Sequence, residues 1–191
     1  MEFGVFVLAQ QRSYEQSSKY VIDCAVQQSV AAEAAGFDTA WYAEHHFNNY
    51  SLSPSPLMLV AHCAGLTKTI RLGTAVCVLP LYHPNRLLGE IGFTDAVSDW
   101  RLELGVGSGY QQFEFERFGV KLEEAPAIFS EYLWLLDIIG GRARFHPPNP
   151  ARINRLQSGA RAHINCLYAR TLGSALDIIG ACSRSVIAGR S

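Results

Sequence analysis

The pattern of apolar positions is clearest in residues 71–110, where two apolar runs flank a loop and an amphipathic segment. The first run, 72–79, is apolar almost without interruption. It lacks the alternation of apolar and polar residues that marks a strand with one solvent-exposed face. Strands of parallel sheets, covered on both faces, have this composition. The second run, 101–106, ends in glycines at alternate positions. The stretch therefore predicts strand, loop, helix, strand and glycine-rich turn.

The chain before this stretch repeats the same order of elements. Apolar runs at 2–9 and 39–43 predict two strands. Between them, helical spacing predicts a helix over 19–35, which Gly36 ends in a left-handed conformation. The predicted inward face of this helix is Ile22, Val26, Val30 and Ala34.

Three further helices are predicted. Ser55 as N-cap and Pro56 in the first turn begin one that runs to about residue 66, and a second begins at Pro84. The third covers 122–139 and stops at glycines 140 and 141. Its predicted inward face is Ile128, Leu135 and Ile139.

Strands starting near residues 3, 39, 72 and 101 are roughly 30 to 36 residues apart, the repeat length of a βα unit in a (β/α)8 barrel. Parallel strands joined by helices require an α/β architecture. We therefore predict a partial TIM-like (β/α) barrel of four βα units over residues 1–141. Eight units typically need about 250 residues, and this chain has 191.

Residues 142–191 differ in composition and form a separate, divergent tail. They hold eight arginines, no lysine and one acid, Asp177. We expect an irregular or helical tail, although 160–187 leaves open one or two helices or a strand. Either the tail is a divergent second part of the domain, or it does not belong to the original fold because of truncation or a shifted reading frame. The composition favours the second interpretation.

Charge and cysteine content narrow the function classes. The formal net charge of −1 gives no indication of nucleic-acid or anionic-membrane binding. No apolar run approaches the ~20 residues of a membrane span, and the N-terminus lacks a signal-peptide pattern. The five cysteines show no C-x-x-C spacing, so we expect no disulfide framework, no metal site and a cytoplasmic location.

Glu44, His45 and His46 follow the second predicted strand directly. Carboxyl ends of parallel strands carry the sites of α/β proteins. Adjacent side chains on extended backbone point to opposite sides, so the two histidines are poor partners for one metal. One of them can serve as an acid or base near neutral pH. Ordinary loop histidines are the alternative, which spacing alone favours.

The turn at 105–110 is the second candidate for chemistry. Alternate glycines let backbone N–H groups crowd a ligand, such as a phosphate, with Ser108 as a further donor. A tight turn is the alternative. The nicotinamide fingerprint G-x-G-x-x-G is not met, which argues against a nicotinamide enzyme. Residues 111–118 mix charges with aromatics and fit either a lid or a solvated first turn.

Taken together, these pieces resemble the bacterial luciferase-like family of flavin-dependent monooxygenases. The matching stretches, in order over about residues 1–139, are MEFGVFVLAQ, AAGFDTAWYAEHHF, SLSPSPLMLVAH, TIRLGTAVCVLPLYHPNRL and RLELGVGSGYQQFEFERFGV. The resemblance implies a TIM-like barrel that binds reduced FMN, or a deazaflavin in one branch. It also implies oxidation of a small organic substrate by O2 in a dry cavity.

The resemblance also assigns roles to residues. His45 matches the catalytic histidine of the family, and Glu44 lies beside the flavin. Ala75 and Val76 match the pair under the flavin ring, which can be joined by a cis peptide bond. The residues that match the loop near the flavin phosphate are Gly107, Ser108, Gly109 and Tyr110.

Three departures from the family pattern stand out. Family members often have arginines at the positions of Ser108 and Pro126, which grip the phosphate; both charges are missing here. Trp100 stands where a glycine usually precedes the fourth strand, and a bulky residue there is expected to strain the turn. Strands five to eight of the barrel are not recognised in the sequence.

Two hypotheses follow from the resemblance. The chain is a flavin-dependent monooxygenase, or part of one, that takes reduced flavin from a reductase or from solution. Alternatively, it is a non-catalytic fragment that acts as a subunit partner. A homo- or hetero-dimer is expected in either case. The first hypothesis requires His45, Ala75 and Gly107 to be neighbours in space.

Overall fold

A computed structural model describes residues 2–139 and 166–168 as a parallel sheet flanked by helices. The strands are β1 (Gly4–Val7), β2 (Thr39–Tyr42), β3 (Arg71–Thr74), β4 (Cys77–Val78), β5 (Leu102–Gly107) and β6 (Cys166–Tyr168). The helices are α1 (Ser18–Ala34), α2 (Pro56–Ala64), α3 (Pro84–Val97), α4 (Gln112–Phe118) and α5 (Ala125–Ile139), with short 3-10 turns at Leu79–Leu81 and Leu122–Glu124.

Every strand pairing in the described sheet is parallel, and neighbours in the sheet are neighbours in sequence. β1 pairs with β2, and β2 pairs with β3. β3 and β4 both pair with β5, one at its start and one at its end, so they are two segments of one interrupted strand. β6 pairs with the other edge of β5. This order confirms the predicted α/β partial barrel.

β6 lies in the segment 160–187, for which the sequence left open helices or a strand, and here the strand is formed. Residues 166–168 form a strand that extends the sheet by one position beyond the four predicted units. The remaining expectations for 142–191, including the shifted-frame interpretation, lie outside the described residues. No helix in the described ranges is both long enough and apolar enough to cross a bilayer.

The inward face of α1 is rotated from the predicted one. The buried positions are Val21, Ala25, Val26, Ser29 and Ala32, whereas Ala34 is exposed and Val30 only half-buried. The reason is a polar contact that apolar periodicity does not reveal. Tyr42, fully buried on β2, donates its hydroxyl to Ser29 Oγ at 2.8 Å, and this bond draws a serine into the core.

The inward face of α5 was also predicted incorrectly. Phe129, Tyr132 and Leu136 are buried, while Ile128 and Leu135 are half-buried. Burial raises the pKa of Tyr132 to about 12, and its hydroxyl donates to the Tyr82 carbonyl after the first 3-10 turn. The tyrosine hydroxyl therefore orients the helix, because a buried O–H needs an acceptor.

Two charged side chains fix the loop between α2 and β3. Glu33 accepts hydrogen bonds from the backbone N–H groups of Lys68, Thr69 and Ile70, and these lower its pKa to about 2. Arg101 donates to carbonyl oxygens at both ends of the loop, including Ala64 at the end of α2. The bond from Arg101 to Ala64 satisfies a helix-end carbonyl that has no partner within the helix.

The turn before β5 has the unusual geometry that the sequence suggested. Asp99 and Trp100 both have positive φ, 54° and 62°, and Trp100 is exposed. Residues with a Cβ rarely adopt this left-handed conformation, which costs about 1–2 kcal/mol relative to glycine.

Replacing Trp100 by glycine is therefore expected to stabilise the fold. We predict that Trp100→Gly raises the free energy of unfolding by about 1 kcal/mol, measured by urea denaturation. Trp100→Ala is the matched control, because it removes the indole but keeps Cβ, and it should bring no gain. Equal stabilisation by both variants would assign the effect to the exposed indole instead of to the backbone.

Candidate active site at the carboxyl ends of β2, β4 and β5

The strand formed by β3 and β4 is interrupted at Ala75 and Val76, whose peptide bond is cis. Between the pairs Gly73↔Glu103 and Cys77↔Val106, this strand has one residue more than β5, so the ladder contains a bulge. The Thr74 hydroxyl bridges it: the hydroxyl donates to the Gly105 carbonyl at 2.7 Å and accepts from the Gly105 N–H at 3.0 Å.

The alternate glycines of β5 are explained by internal packing, not by a ligand crowding their Cα atoms. A Cβ on Gly105 would meet the Thr74 carbonyl oxygen, and one on Gly107 would lie 2.6 Å from Val76 Cγ2. A Cβ on Gly109, which has a φ of +77°, would lie 2.6 Å from the Phe115 ring. Protein atoms therefore fill the space that a Cβ would take at each of these positions, and binding of a ligand by the N–H groups of this turn stays a prediction.

Backbone donors remain at the end of this loop. In the described part of the chain, the N–H groups of Gly109 and Tyr110 donate no hydrogen bond. Ser108 is buried and Tyr110 is exposed. Two adjacent N–H groups at the carboxyl end of a strand suit an anionic group.

Glu44 is completely enclosed and connects three elements. Its Oε2 accepts from the Val78 N–H at 3.0 Å and the Tyr82 hydroxyl at 2.8 Å, and its Oε1 contacts His46 Nε2 at 2.8 Å. Burial, and next the Glu44 carboxylate, raise the pKa of Tyr82, so Tyr82 stays protonated as a donor. Glu44 thus fixes the end of β2 to β4, immediately beyond Val76.

His45 and His46 point to different surroundings, as expected for neighbours on extended backbone. The His45 ring lies edge-on to Tyr50 and Tyr110, with centroids 4.8 Å and 6.4 Å away. The His46 ring packs against Phe118 at 4.7 Å. His45 is therefore the histidine beside the loop that ends β5, and its backbone N–H is held by the Ser53 carbonyl at 3.2 Å.

Sequence reasoning missed Glu114 and the helix that carries it. Residues 112–118 form α4 instead of a lid or a solvated turn, and its Glu114 is 3% exposed. One carboxylate oxygen of Glu114 contacts His45 Nδ1 at 3.2 Å and accepts from the His46 N–H at 2.9 Å. The sequence offered no local signal for this contact, because Glu114 lies 69 residues from His45.

The predicted site residues meet at one mouth of the sheet. The Ala75 N–H donates to the Tyr42 carbonyl at 2.7 Å, which joins the cis peptide to the end of β2. Val76 packs against Gly107, and Tyr110 reaches His45. Within residues 2–139 and 166–168, no group of three or more His, Cys, Asp or Glu side chains is arranged to hold a metal.

The sequence profile of the luciferase-like monooxygenases matches residues 1–145. The chain belongs to this family. It is 71% identical over 136 residues to the uncharacterized protein y4vJ of Sinorhizobium fredii, covering 71% of this chain and 39% of that protein. It is 37% identical over 117 residues to the oxygenase component of the flavin-dependent trigonelline monooxygenase of Acinetobacter baylyi, covering 61% and 32%.

A solved monooxygenase structure has a similar architecture. The oxygenating constituent of 3,6-diketocamphane monooxygenase from Pseudomonas putida, in complex with FMN, superposes with a TM-score of 0.69 at 25% identity. The match covers 78% of this chain and 42% of that structure. The chain thus spans about two fifths or less of the length of these relatives.

The bulge between β3 and β4 leaves no space for a side chain at Gly105 on the neighbouring β5. We predict that Gly105→Ala lowers the free energy of unfolding by at least about 2 kcal/mol, because its methyl group must displace the Thr74 carbonyl. Gly89→Ala, in α3 where nothing lies within 4 Å of the added Cβ, should instead stabilise by about 0.5–1 kcal/mol. Thermal unfolding of both variants measures these changes in stability. Equal changes in the two variants would contradict the prediction.

Proposed function

We propose that this chain is the flavin-binding part of a luciferase-like monooxygenase that uses reduced FMN and O2 to oxidise a small organic substrate. The observation that carries the proposal is the meeting of His45, the Ala75–Val76 peptide and the 107–110 loop at one mouth of a family-typical sheet. Each comes from a different strand end, which is the usual construction of a site in a (β/α) barrel.

The residues at the mouth divide between holding the flavin and working beside it. Ala75 and Val76 offer an apolar platform for the ring, and the N–H groups of Gly109 and Tyr110 suit the phosphate, with Gly107 and Ser108 shaping the loop. Reduced flavin, when bound, supplies the reaction with O2 and the electrons for it. FMN is the predicted cofactor, and a deazaflavin is the alternative.

His45 is the proposed acid or base of the site. Its side chain is 11% exposed, so it is shielded from bulk solvent but reachable from the mouth. Tyr50 and Tyr110, both exposed at one edge, flank the imidazole and restrict the access of water to it. Glu44 holds the platform beneath the flavin in place through Val78.

The proposed function also predicts the source of electrons and the location of the protein. The relative from Acinetobacter baylyi is described as an oxygenase component, which supports a separate reductase, or free reduced flavin, as the electron source here. The thiols of Cys24 and Cys63 are free, as suits the cytoplasm, where we place the protein.

A dimer is supported by an exposed apolar face on α3. Gly89, Phe93 and Val97 are four residues apart, so they share one side of the helix, and all three are exposed. Met58 on the neighbouring α2 is 72% exposed. Apolar side chains grouped on one surface of a protein commonly mark an interface.

The alternative function, a non-catalytic subunit partner, has its own support. The 107–110 loop contains no cation, and Ser108 and Pro126 provide none where family members often have arginine. Backbone N–H groups alone bind phosphate less strongly than a bidentate arginine. The chain also spans only a fraction of its relatives.

Flavin titration separates the two functions. We expect purified protein to bind reduced FMN at micromolar concentration under anaerobic conditions. Binding is measured by the change in fluorescence. His45→Gln should leave this affinity within about twofold but slow the reoxidation-coupled turnover of bound flavin at least about tenfold, since general acid–base groups contribute that much or more. His62→Gln, on α2, is the matched control. Absence of binding at millimolar flavin would support the subunit partner.

The α3 face gives a prediction that does not depend on flavin. Phe93→Glu should convert a dimer to a monomer, because it places a charge in an apolar interface, as measured by sedimentation velocity. Tyr14→Glu changes an aromatic residue that is more exposed than Phe93, 91% against 66%, and lies outside α3, so it should have no effect. A monomeric wild-type chain would contradict the proposed dimer.

A further inference from the structure

Glu114 occupies a position from which it can control His45. It lies in the first turn of α4, which directly follows the 107–111 segment. The next residue, Phe115, is fully buried, and its ring fills the space above Gly109. The carboxylate is therefore fixed relative to the loop and the end of β2, with its side chain only 4% exposed.

The contacts of Glu114 identify which ring nitrogen of His45 carries the proton. The same oxygen, Oε1, receives the His46 N–H at 2.9 Å and the Asn48 side-chain amide at 3.5 Å, and it lies 3.2 Å from His45 Nδ1. A carboxylate oxygen that already accepts an amide N–H is an acceptor only. The bond to the imidazole thus requires a proton on Nδ1.

The opposite nitrogen of His45 is then the basic one. In neutral imidazole, protonation of Nδ1 leaves a lone pair on Nε2. Among the described residues, Nε2 has no hydrogen-bond partner. The His45 ring makes T-shaped contacts with Tyr50 and Tyr110, both of which are exposed.

His46 is held in the reverse manner. Its Nε2 contacts Glu44 Oε1 at 2.8 Å, and its ring is covered by Phe118. Two carboxylates therefore orient the two adjacent histidines through different nitrogens. Glu44 contacts His46 at Nε2, whereas Glu114 contacts His45 at Nδ1 and leaves its Nε2 without a hydrogen bond among the described residues.

We propose that Glu114 is a positioning residue, which holds His45 with its proton on Nδ1 and presents Nε2 as the proton-accepting atom of the site. The proposal rests on the proposed function in one respect, that His45 is the acid or base. The tautomer itself is a property of the protein without flavin, so it can be tested independently.

Long-range 1H–15N correlation spectra of histidine-labelled protein, recorded without flavin at a pH where the rings are neutral, report the tautomer. Wild type should show Nδ1–H at His45, with the signals assigned by their loss in His45→Gln. Glu114→Met, which keeps length but removes the acceptor, should lower the Nδ1–H fraction more than about twofold. Glu114→Gln keeps an acceptor oxygen and should retain it. Glu116→Met, on the exposed side of α4, is the matched control.

The outcomes distinguish this proposal from the proposed function. An Nε2–H tautomer in the wild type would overturn the proposal, even if no variant folds. An unchanged tautomer in a folded Glu114→Met would do the same. If the protein also turns over flavin, Glu114→Met should slow turnover about tenfold at unchanged flavin affinity. Failure to bind flavin would refute the monooxygenase assignment but leave the tautomer result intact.

Discussion

The mouth of this sheet depends on one buried negative charge. Glu44 has no exposed side-chain surface, yet its carboxylate accepts from Val78 and Tyr82 and contacts His46. Hydrogen bonds to a charged group contribute about 1.5–3 kcal/mol each, and a buried carboxylate without them is strongly unfavourable. The ends of β2 and β4 are therefore held in a single arrangement. Through Tyr82, whose carbonyl accepts from Tyr132, the same arrangement extends to α5.

Local patterns in the sequence predicted the order of the elements well, because apolar runs and helix stops act over a few residues. Pro84 begins α3, Gly36 adopts a positive φ after α1, and the apolar run at 72–79 contains the parallel segments β3 and β4. Helix faces were less predictable. Ser29 is buried because Tyr42 supplies a hydrogen bond, and a hydrophobicity pattern assigns such a serine to the surface.

The candidate site also contains residues that local sequence predicts and residues that it does not. His45 stood out because it follows a strand directly, whereas Glu114 reaches it across 69 residues of sequence. No local signal gives that pairing. The glycines of β5 show the opposite limitation: their spacing was noticed, but it reflects contacts with Thr74, Val76 and Phe115. A missing side chain indicates a close neighbour without identifying whether that neighbour is ligand or protein.

Glu33 has a consequence for the behaviour of the molecule in acid. Its pKa of about 2 lies below the usual carboxyl value of 4.5, so the ionised form favours the folded chain above pH 4.5. That contribution is lost progressively as the pH falls from 4.5 to about 2. Glu33 itself stays ionised in the folded chain until the pH approaches 2, so its hydrogen bonds to the loop before β3 persist in mild acid. The corner where α1 meets this loop is therefore stabilised less as the medium turns acidic, although its local geometry is kept.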